Sequence, residues 1–347
     1  MDLHGGDLYR NDVEYDFSVS LNPCGCPARV TAALRDAVGK VTAYPDLLQE
    51  RSRKAIAKIE GVAEENVILT NGASELFMAI ARILPKKPAV VPVPSFSGYA
   101  HALRAADIPI RPYLLSEENG FLLTEEFREV FDEQVSSVWI CNPNNPTGKT
   151  VDAGLLKKIV MSCRERGILP VIDCCFSDLC ESSAVPSLKE LLKENAIIIK
   201  AFTKTLAIPG VRLGYAVCEE TLANRIRANL PEWNLSGFGE AAAISGAAVL
   251  TGPEYLKTTR SLIKKERAYL TEELQKAGLK VYPSDSCFLL VRSCVNLKEK
   301  LLAKKILIRD CANFAGLREG YYRIAVKDHA SDEILIRAVK EVLSLGD

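Results

Sequence analysis

Short, almost uninterrupted apolar runs recur along the chain, with amphipathic stretches between them. The runs are Val67–Thr70, Ala89–Val93, Val138–Cys141, Ile168–Asp173, Ala196–Lys200 and Leu213–Val217. Ser74–Leu84, Ala153–Arg166 and Ser187–Glu194 carry their apolar residues at helical spacing. Strands that are apolar throughout are buried on both faces, and parallel strands need crossover helices to join them. The pattern therefore predicts an α/β fold with a mainly parallel central sheet covered by helices on both sides.

Towards the C-terminus the pattern changes. Thr251–Ala277 reads as one long helix with a charged face, entered through Gly252 and Pro253. Phe288–Arg292 and Arg323–Val326 follow as shorter strands, and Ser331–Leu343 as a closing helix. This predicts a small α+β domain over residues 251–347, after a large α/β domain over 44–250. Residues 1–43 contain no complete βα unit and are expected to form an arm that joins the small domain. No repeat, low-complexity segment or Ser/Gly-rich tether is present, so the seam between the domains is expected in a helix.

Composition narrows the function classes. The 347 residues include 44 basic and 44 acidic side chains. Zero net charge argues against a nucleic-acid groove or an anionic membrane surface as the main partner. An apolar content of 48% rules out disorder. No apolar run approaches the roughly 18 residues of a membrane span. The polar, acidic start lacks the basic head and apolar stretch of a secretory signal, so a cytoplasmic protein is expected. In that setting eleven cysteines read as free thiols. Cys24 and Cys26, and the adjacent Cys174 and Cys175, lack the C-x2-C spacing of a zinc site. With three scattered histidines, no metal site is expected.

An open parallel sheet binds ligands at the carboxyl ends of its strands. There the chain supplies Asn71-Gly72-Ala73-Ser74-Glu75, Pro94-Ser95-Phe96, Asn142 to Gly148, Asp173, and Thr203-Lys204. Gly72 lets the backbone turn, and the N–H groups of Ala73, Ser74 and Glu75 open a helix that favours a phosphate. An ordinary cap by Ser74 or Asn71 accounts for the same residues. Gly148-Lys149-Thr150 lacks the glycine a nucleotide loop needs five residues earlier, where Pro143 stands. No G-x-G-x-x-G follows a strand, which argues against a dinucleotide. Lys204 ends a buried strand, where lost hydration lowers an amine's pKa and makes it a nucleophile; a surface loop lysine is the alternative. Arg212, eight residues on, can clamp a phosphate. Asp173 ends an apolar strand and needs a cation beside it.

In this order the motifs resemble the fold-type I, aminotransferase-like enzymes that use pyridoxal 5′-phosphate. The resemblance spans essentially the whole chain. Its specific parts are the N-P-x-N-P-T-G run and the spacing from Lys204 to Arg212. The ends of the chain are similar to one branch, the threonine-phosphate decarboxylases of cobalamin biosynthesis. That similarity rests on His4-Gly5-Gly6, Phe17-Ser18, Leu21-Asn22-Pro23 with Gly25, Tyr44-Pro45-Asp46, and Ile306 to Phe314 with Tyr321 to Val326. Histidinol-phosphate aminotransferases are the next nearest branch.

The resemblance implies roles. Lys204 carries the cofactor covalently through its amine. Asp173 pairs with the ring nitrogen, Asn145 with the ring 3-oxygen, and Phe96 stacks on the ring face. Ala73, Ser74 and Arg212 hold the cofactor phosphate, with Thr203 beside them. Tyr44 reaches the neighbouring subunit's cofactor, which implies a homodimer. Arg309 and Arg323 bind anionic groups of the substrate, and His4 and Asn22 complete its site. Three departures stand out. Phe176 replaces a frequent tyrosine, Cys174-Cys175 a frequent Glu-Ala, and Ala201 a frequent hydroxyl residue for which Lys200 or Thr203 is the candidate substitute. Ser20 also replaces a frequent asparagine.

The activity implied is decarboxylation of O-phospho-L-threonine or O-phosphoserine to an aminoalkyl phosphate. The alternative is an aminotransferase of the histidinol-phosphate type, which needs a 2-oxo acid acceptor. A cofactor-binding regulator is the third reading, and residues 1–45 are too short and too acidic for its DNA-binding segment.

Overall fold

The computed structural model describes residues 4–181 and 188–344. Ser187, where a helical stretch was expected to begin, lies outside the described residues. The N-terminal segment holds a two-residue strand, β1 (Tyr15–Asp16), then helices α1 (Ala28–Val38) and α2 (Glu50–Glu60).

The central sheet consists of β2 (Val67–Thr70), β3 (Ala89–Val93), β4 (Ile110–Leu114), β5 (Ser137–Cys141), β6 (Leu169–Asp173), β7 (Ile197–Ala201) and β8 (Gly214–Val217). Their spatial order is β2-β8-β7-β6-β5-β3-β4. Neighbours from β7 to β4 are parallel, and β8 runs antiparallel to both β2 and β7. The apolar pattern did not reveal β4, whose sequence is broken by Arg111 and Pro112. It is an edge strand, where a proline facing the open side removes no ladder donor.

Helices α3 (Ala73–Ile83), α4 (Ser97–Ala105), α5 (Ala153–Glu165), α6 (Leu188–Lys193), the one-turn α7 (Phe202–Thr205), α8 (Glu220–Arg227) and α9 (Gly237–Leu250) complete this layer. Successive strand residues point to opposite faces. Ile197 and Ile199 thus join the core with Leu76, Phe77 and Tyr99, while Ile198 joins Leu156 and Ile159 on the other side.

The long α10 (Glu254–Lys276) leads into the small domain. It starts directly after Pro253, and Thr251 caps the preceding α9, so the 251–277 stretch is one long helix entered through Gly252 and Pro253, as expected. Then come β9 (Lys280–Val281), β10 (Phe288–Arg292), α11 (Leu297–Leu302), β11 (Ile306–Leu307), β12 (Arg309–Asp310), β13 (Tyr321–Ala325) and α12 (His329–Ser344). The antiparallel order is β12-β13-β10-β9. The N-terminal segment divides. β1 pairs with β11, and Phe17 enters the small-domain core with Leu270, Leu289 and Leu335. α1 instead packs on α9 of the large domain.

All eleven cysteines are free. Among the described residues no helix is long and apolar enough to cross a membrane, and no cluster of His, Cys, Asp or Glu could hold a metal.

Candidate active site

The sequence-chosen residues, all but Asn22 and Tyr44, line one cavity of about 830 Å³. It lies at the carboxyl ends of β5, β6 and β7 and is closed on the other side by the small domain and the first residues of the arm.

One end is built for a phosphate. Gly72 adopts φ +79° and caps α3 without any side-chain hydrogen bond, so capping by Ser74 or Asn71 does not occur. The Asn71 N–H donates to Glu75 Oε2 at 2.7 Å instead. The first N–H groups of a helix have no acceptor within it, which leaves those of Ala73 and Ser74 for a ligand. Arg212 lies against this turn: a Cβ on Gly72 would stand 2.5 Å from its Nη2. Gly214, on the neighbouring strand, is equally constrained, since its Cβ would meet the Ala73 nitrogen at 2.5 Å. Thr203 is on the wall, whereas Lys200 is not. Lys200 is paired with Glu60 at 2.8 Å and Asp178 at 3.0 Å, so it cannot replace the hydroxyl missing at Ala201.

At mid-cavity Asp173 ends β6 and is 6% exposed. Tyr99 Oη donates to its Oδ2 at 2.6 Å and the Cys175 N–H to its Oδ1 at 2.9 Å. Burial still holds the carboxyl above its usual range, which is the behaviour of an acid waiting for a cation. Tyr99 escaped the sequence reading. The signal available was its position three residues after Phe96, the residue that caps α4, in the first turn of that helix; their rings lie 5.7 Å apart, edge to face. Asn145 Oδ1 accepts from Arg323 Nη1 at 2.6 Å, and its Nδ2 donates to no described residue. The His4 ring, on the arm, stands 5.7 Å from that of Phe96.

Lys204 sits in the single turn of α7, with its Nζ 5.6 Å from the Phe176 ring centroid. Burial, helped by the charge of Arg323, lowers its amine to about 8. A sizeable neutral fraction therefore exists near neutral pH. Asn22 does not reach the cavity. Its backbone N–H donates to Lys204 O at 3.1 Å, and its Nδ2 donates to Thr205 O at 2.9 Å and Thr259 Oγ1 at 2.9 Å. With its amide engaged in this way, Asn22 fastens the Lys204 turn to α10.

The far end carries two arginines. Arg309 and Arg323 are cross-strand partners on β12 and β13, and each is 7% exposed. Arg323 Nη2 donates to Ser18 O at 2.7 Å, and its Nε is buried without a partner. Arg309 Nη2 donates to Asn313 Oδ1 at 2.9 Å. Ser18, part of the Phe17-Ser18 motif, also lines the cavity wall. Its Oγ also accepts from the Gly6 N–H at 2.7 Å, tying the His4-Gly5-Gly6 segment down beside Arg323.

Orphan helix N–H groups beside an arginine, a buried carboxylate lacking a cation, an available amide donor and a lysine of lowered pKa together fit pyridoxal 5′-phosphate. The family model for aminotransferase class I and II matches residues 14–339. The chain is 32% identical to threonine-phosphate decarboxylase of Salmonella typhimurium over 356 residues, covering 98% of this chain and 96% of that one. It resembles the crystal structure of histidinol-phosphate aminotransferase from Clostridium acetobutylicum with TM-score 0.87 and 29% identity, over 95% of this chain and 99% of that one. Histidinol-phosphate aminotransferase of Sinorhizobium meliloti, solved in complex with pyridoxal 5′-phosphate, shares the fold with TM-score 0.86 at 21% identity, over 100% and 96% of the two chains. The chain belongs to the class I and II aminotransferase family. It is an enzyme of that family, and its cofactor is pyridoxal 5′-phosphate.

Proposed function

We propose that the protein decarboxylates an O-phospho amino acid, O-phospho-L-threonine or O-phosphoserine, releasing CO2 and an aminoalkyl phosphate. The observation that carries this reading is the buried cross-strand pair Arg309 and Arg323 facing the cavity. Like charges directly opposite in a sheet repel, so this pair suits a substrate with two anionic groups. The identity with the Salmonella decarboxylase over nearly the whole chain supports the same reading.

In this proposal the Ala73 and Ser74 N–H groups, Thr203 and Arg212 hold the cofactor phosphate. Asp173, fixed by Tyr99, keeps the ring nitrogen protonated. The Asn145 Nδ2 donates to the ring oxygen, Phe96 covers the ring face, and Lys204 is the covalent anchor. When bound, pyridoxal 5′-phosphate draws electrons from whichever bond at the substrate Cα lies perpendicular to its ring. The arginines choose that bond. A carboxylate clamped in the ring plane leaves Cα–H perpendicular, as transamination requires. Arginines occupied by a side-chain phosphate leave the carboxylate free to turn out of plane and depart as CO2. The Lys204 amine, poised at about 8, then delivers a proton to Cα. His4, on the arm over Phe96, closes the site.

We place Tyr44 in a homodimer contact. It is 81% exposed, its ring lies 4.8 Å from that of Trp233 at a tilt of 36°, and it lines one surface hollow with the exposed Val41. Such an apolar, aromatic surface suits a second copy of the chain.

The second reading is transamination of a phosphorylated amine, favoured by the likeness to the Clostridium aminotransferase. One experiment separates the two. The holoenzyme is given O-phospho-L-threonine without any 2-oxo acid, and CO2 and cofactor absorbance are followed together. Sustained CO2 release with the starting spectrum restored supports decarboxylation. One stoichiometric conversion of the cofactor to its amine form, without CO2, overturns it in favour of transamination.

A further inference from the structure

Lys327 lines the same cavity as Arg309 and Arg323, and none of the chemistry above uses it. It lies four residues past Arg323, where the chain leaves β13. The path there stays tied to β10, with the Val326 N–H donating to Cys287 O at 2.8 Å. The two-residue period of an extended chain places Lys327 on the side of Arg323. Its backbone is pinned as well: Asp332, fully buried in the first turn of α12, accepts from the Lys327 N–H at 3.2 Å. The Nζ stands 5.9 Å from the centroid of Phe17, a core residue carried in by the arm.

No carboxylate among the described residues forms an ion pair with this part-buried ammonium. Lys200 is paired with Glu60 and Asp178, and Lys149 with Asp285, whereas Lys327, like Lys204, faces the cavity without such a pair. Asp328 and Asp332 act on it at longer range than an ion pair, and an anion brought into the cavity gives it a direct partner.

We propose that Lys327 is the third cation of the substrate site and selects a dianionic phosphate ester over a side-chain carboxylate. The inference rests on the reading above that the substrate carries a phosphate. A phosphate monoester carries a charge of about −1.5 to −2 at neutral pH and three acceptor oxygens, which match the two arginines together with Lys327 and leave the α-carboxylate free to turn. A carboxylate in the same place brings one charge and two oxygens, and leaves the ammonium desolvated and unpaired. Selection thus comes from the penalty on the wrong ligand as much as from contacts to the right one.

The test titrates the holoenzyme with O-phospho-L-threonine and with L-glutamate, reading Kd from the cofactor absorbance for wild type, Lys327→Gln and Lys327→Arg. Wild type is expected to prefer the phosphorylated ligand. Lys327→Gln should lose ~10–100-fold of that preference, the range of a charged hydrogen bond. The loss should fall on O-phospho-L-threonine alone, and Lys327→Arg should restore it. A merely structural lysine would weaken both ligands alike and leave the ratio unchanged. If Lys327→Gln keeps the wild-type ratio, the inference is overturned while the phosphorylated-substrate reading stands. If wild type itself shows no preference, both fall.

Discussion

The Cα atoms of Arg309 and Arg323 face each other directly across two antiparallel strands. Each guanidinium rests near an aromatic ring, Arg309 near Phe314 and Arg323 near Phe288, yet each repels the other. A ligand that brings negative charge resolves the conflict. Arg309→Gln should therefore raise KM for O-phospho-L-threonine by ~10–100-fold, the range for a hydrogen bond between charged groups. The thermal midpoint of the ligand-free protein should not fall, because one of two like charges has gone. Steady-state kinetics and a melting curve on the same preparation check both parts, and a large drop in melting temperature would mean that the pair is structural.

The Lys204 amine should govern how fast apoprotein takes up cofactor covalently. Only the neutral amine attacks, and the group sits at about 8, below its ordinary 10.5. Uptake should rise with pH and level off above about 8. Arg323 contributes to the lowering, so Arg323→Gln should move the midpoint upward. Stopped-flow absorbance across the pH range measures this directly. Lys204→Ala should bind cofactor without the absorbance of a covalent adduct, and a retained adduct band would refute the assignment.

Tyr99 holds Asp173 by a 2.6 Å hydrogen bond that favours the ionised carboxylate. Burial already raises this acid, and Tyr99→Phe raises it further, towards protonation at working pH. An uncharged Asp173 cannot keep the ring nitrogen protonated. The expected cost is ~10-fold in kcat, corresponding to about 1.4 kcal/mol, with a smaller change in cofactor affinity. Unaltered kcat would show that the bond only supports packing.

Gly72→Ala tests the phosphate end. At φ +79° with Arg212 Nη2 2.5 Å from the new Cβ, either the turn or the arginine must move. Cofactor affinity should drop by ~10-fold or more, since one charged hydrogen bond is worth about 1.5–3 kcal/mol. Equilibrium dialysis with pyridoxal 5′-phosphate gives the answer, with circular dichroism as the control for folding.

Lys200 offers a stability test away from the cavity. It neutralises Glu60 and Asp178, and Asp178 in turn accepts from Thr205 Oγ1 at 3.1 Å beside the Lys204 turn. Lys200→Met leaves two shielded carboxylates without a counter-ion. Urea unfolding should show a loss of ~3–5 kcal/mol, as for other broken buried pairs.

Much of this protein was legible without coordinates. Local chemistry sets the buried strands, because an all-apolar run has nowhere else to go. The strand-end residues Asp173, Asn145 and Lys204 follow from the rule that open sheets bind ligands at their carboxyl edge. What escaped depended on contacts between distant segments. Edge strand β4 carries an arginine and a proline, so no apolar pattern marks it. Lys200 looked like a spare phosphate ligand until Glu60, 140 residues earlier, proved to be its partner. Asn22 looked like a substrate contact, yet its amide is engaged by Thr205 and Thr259.

By itself, then, the sequence determined the α/β layering, the order of the strand-end residues and the presence of a lysine, an aspartate and several arginines suited to one cofactor. The tertiary structure alone decided which of these share a cavity, that Arg309 faces Arg323, that Tyr99 supports Asp173 and that Lys327 joins them. The physical reason is range. Periodicity and propensity act over a few residues, whereas the charge and hydration that make a site reactive are set by neighbours that only folding brings together.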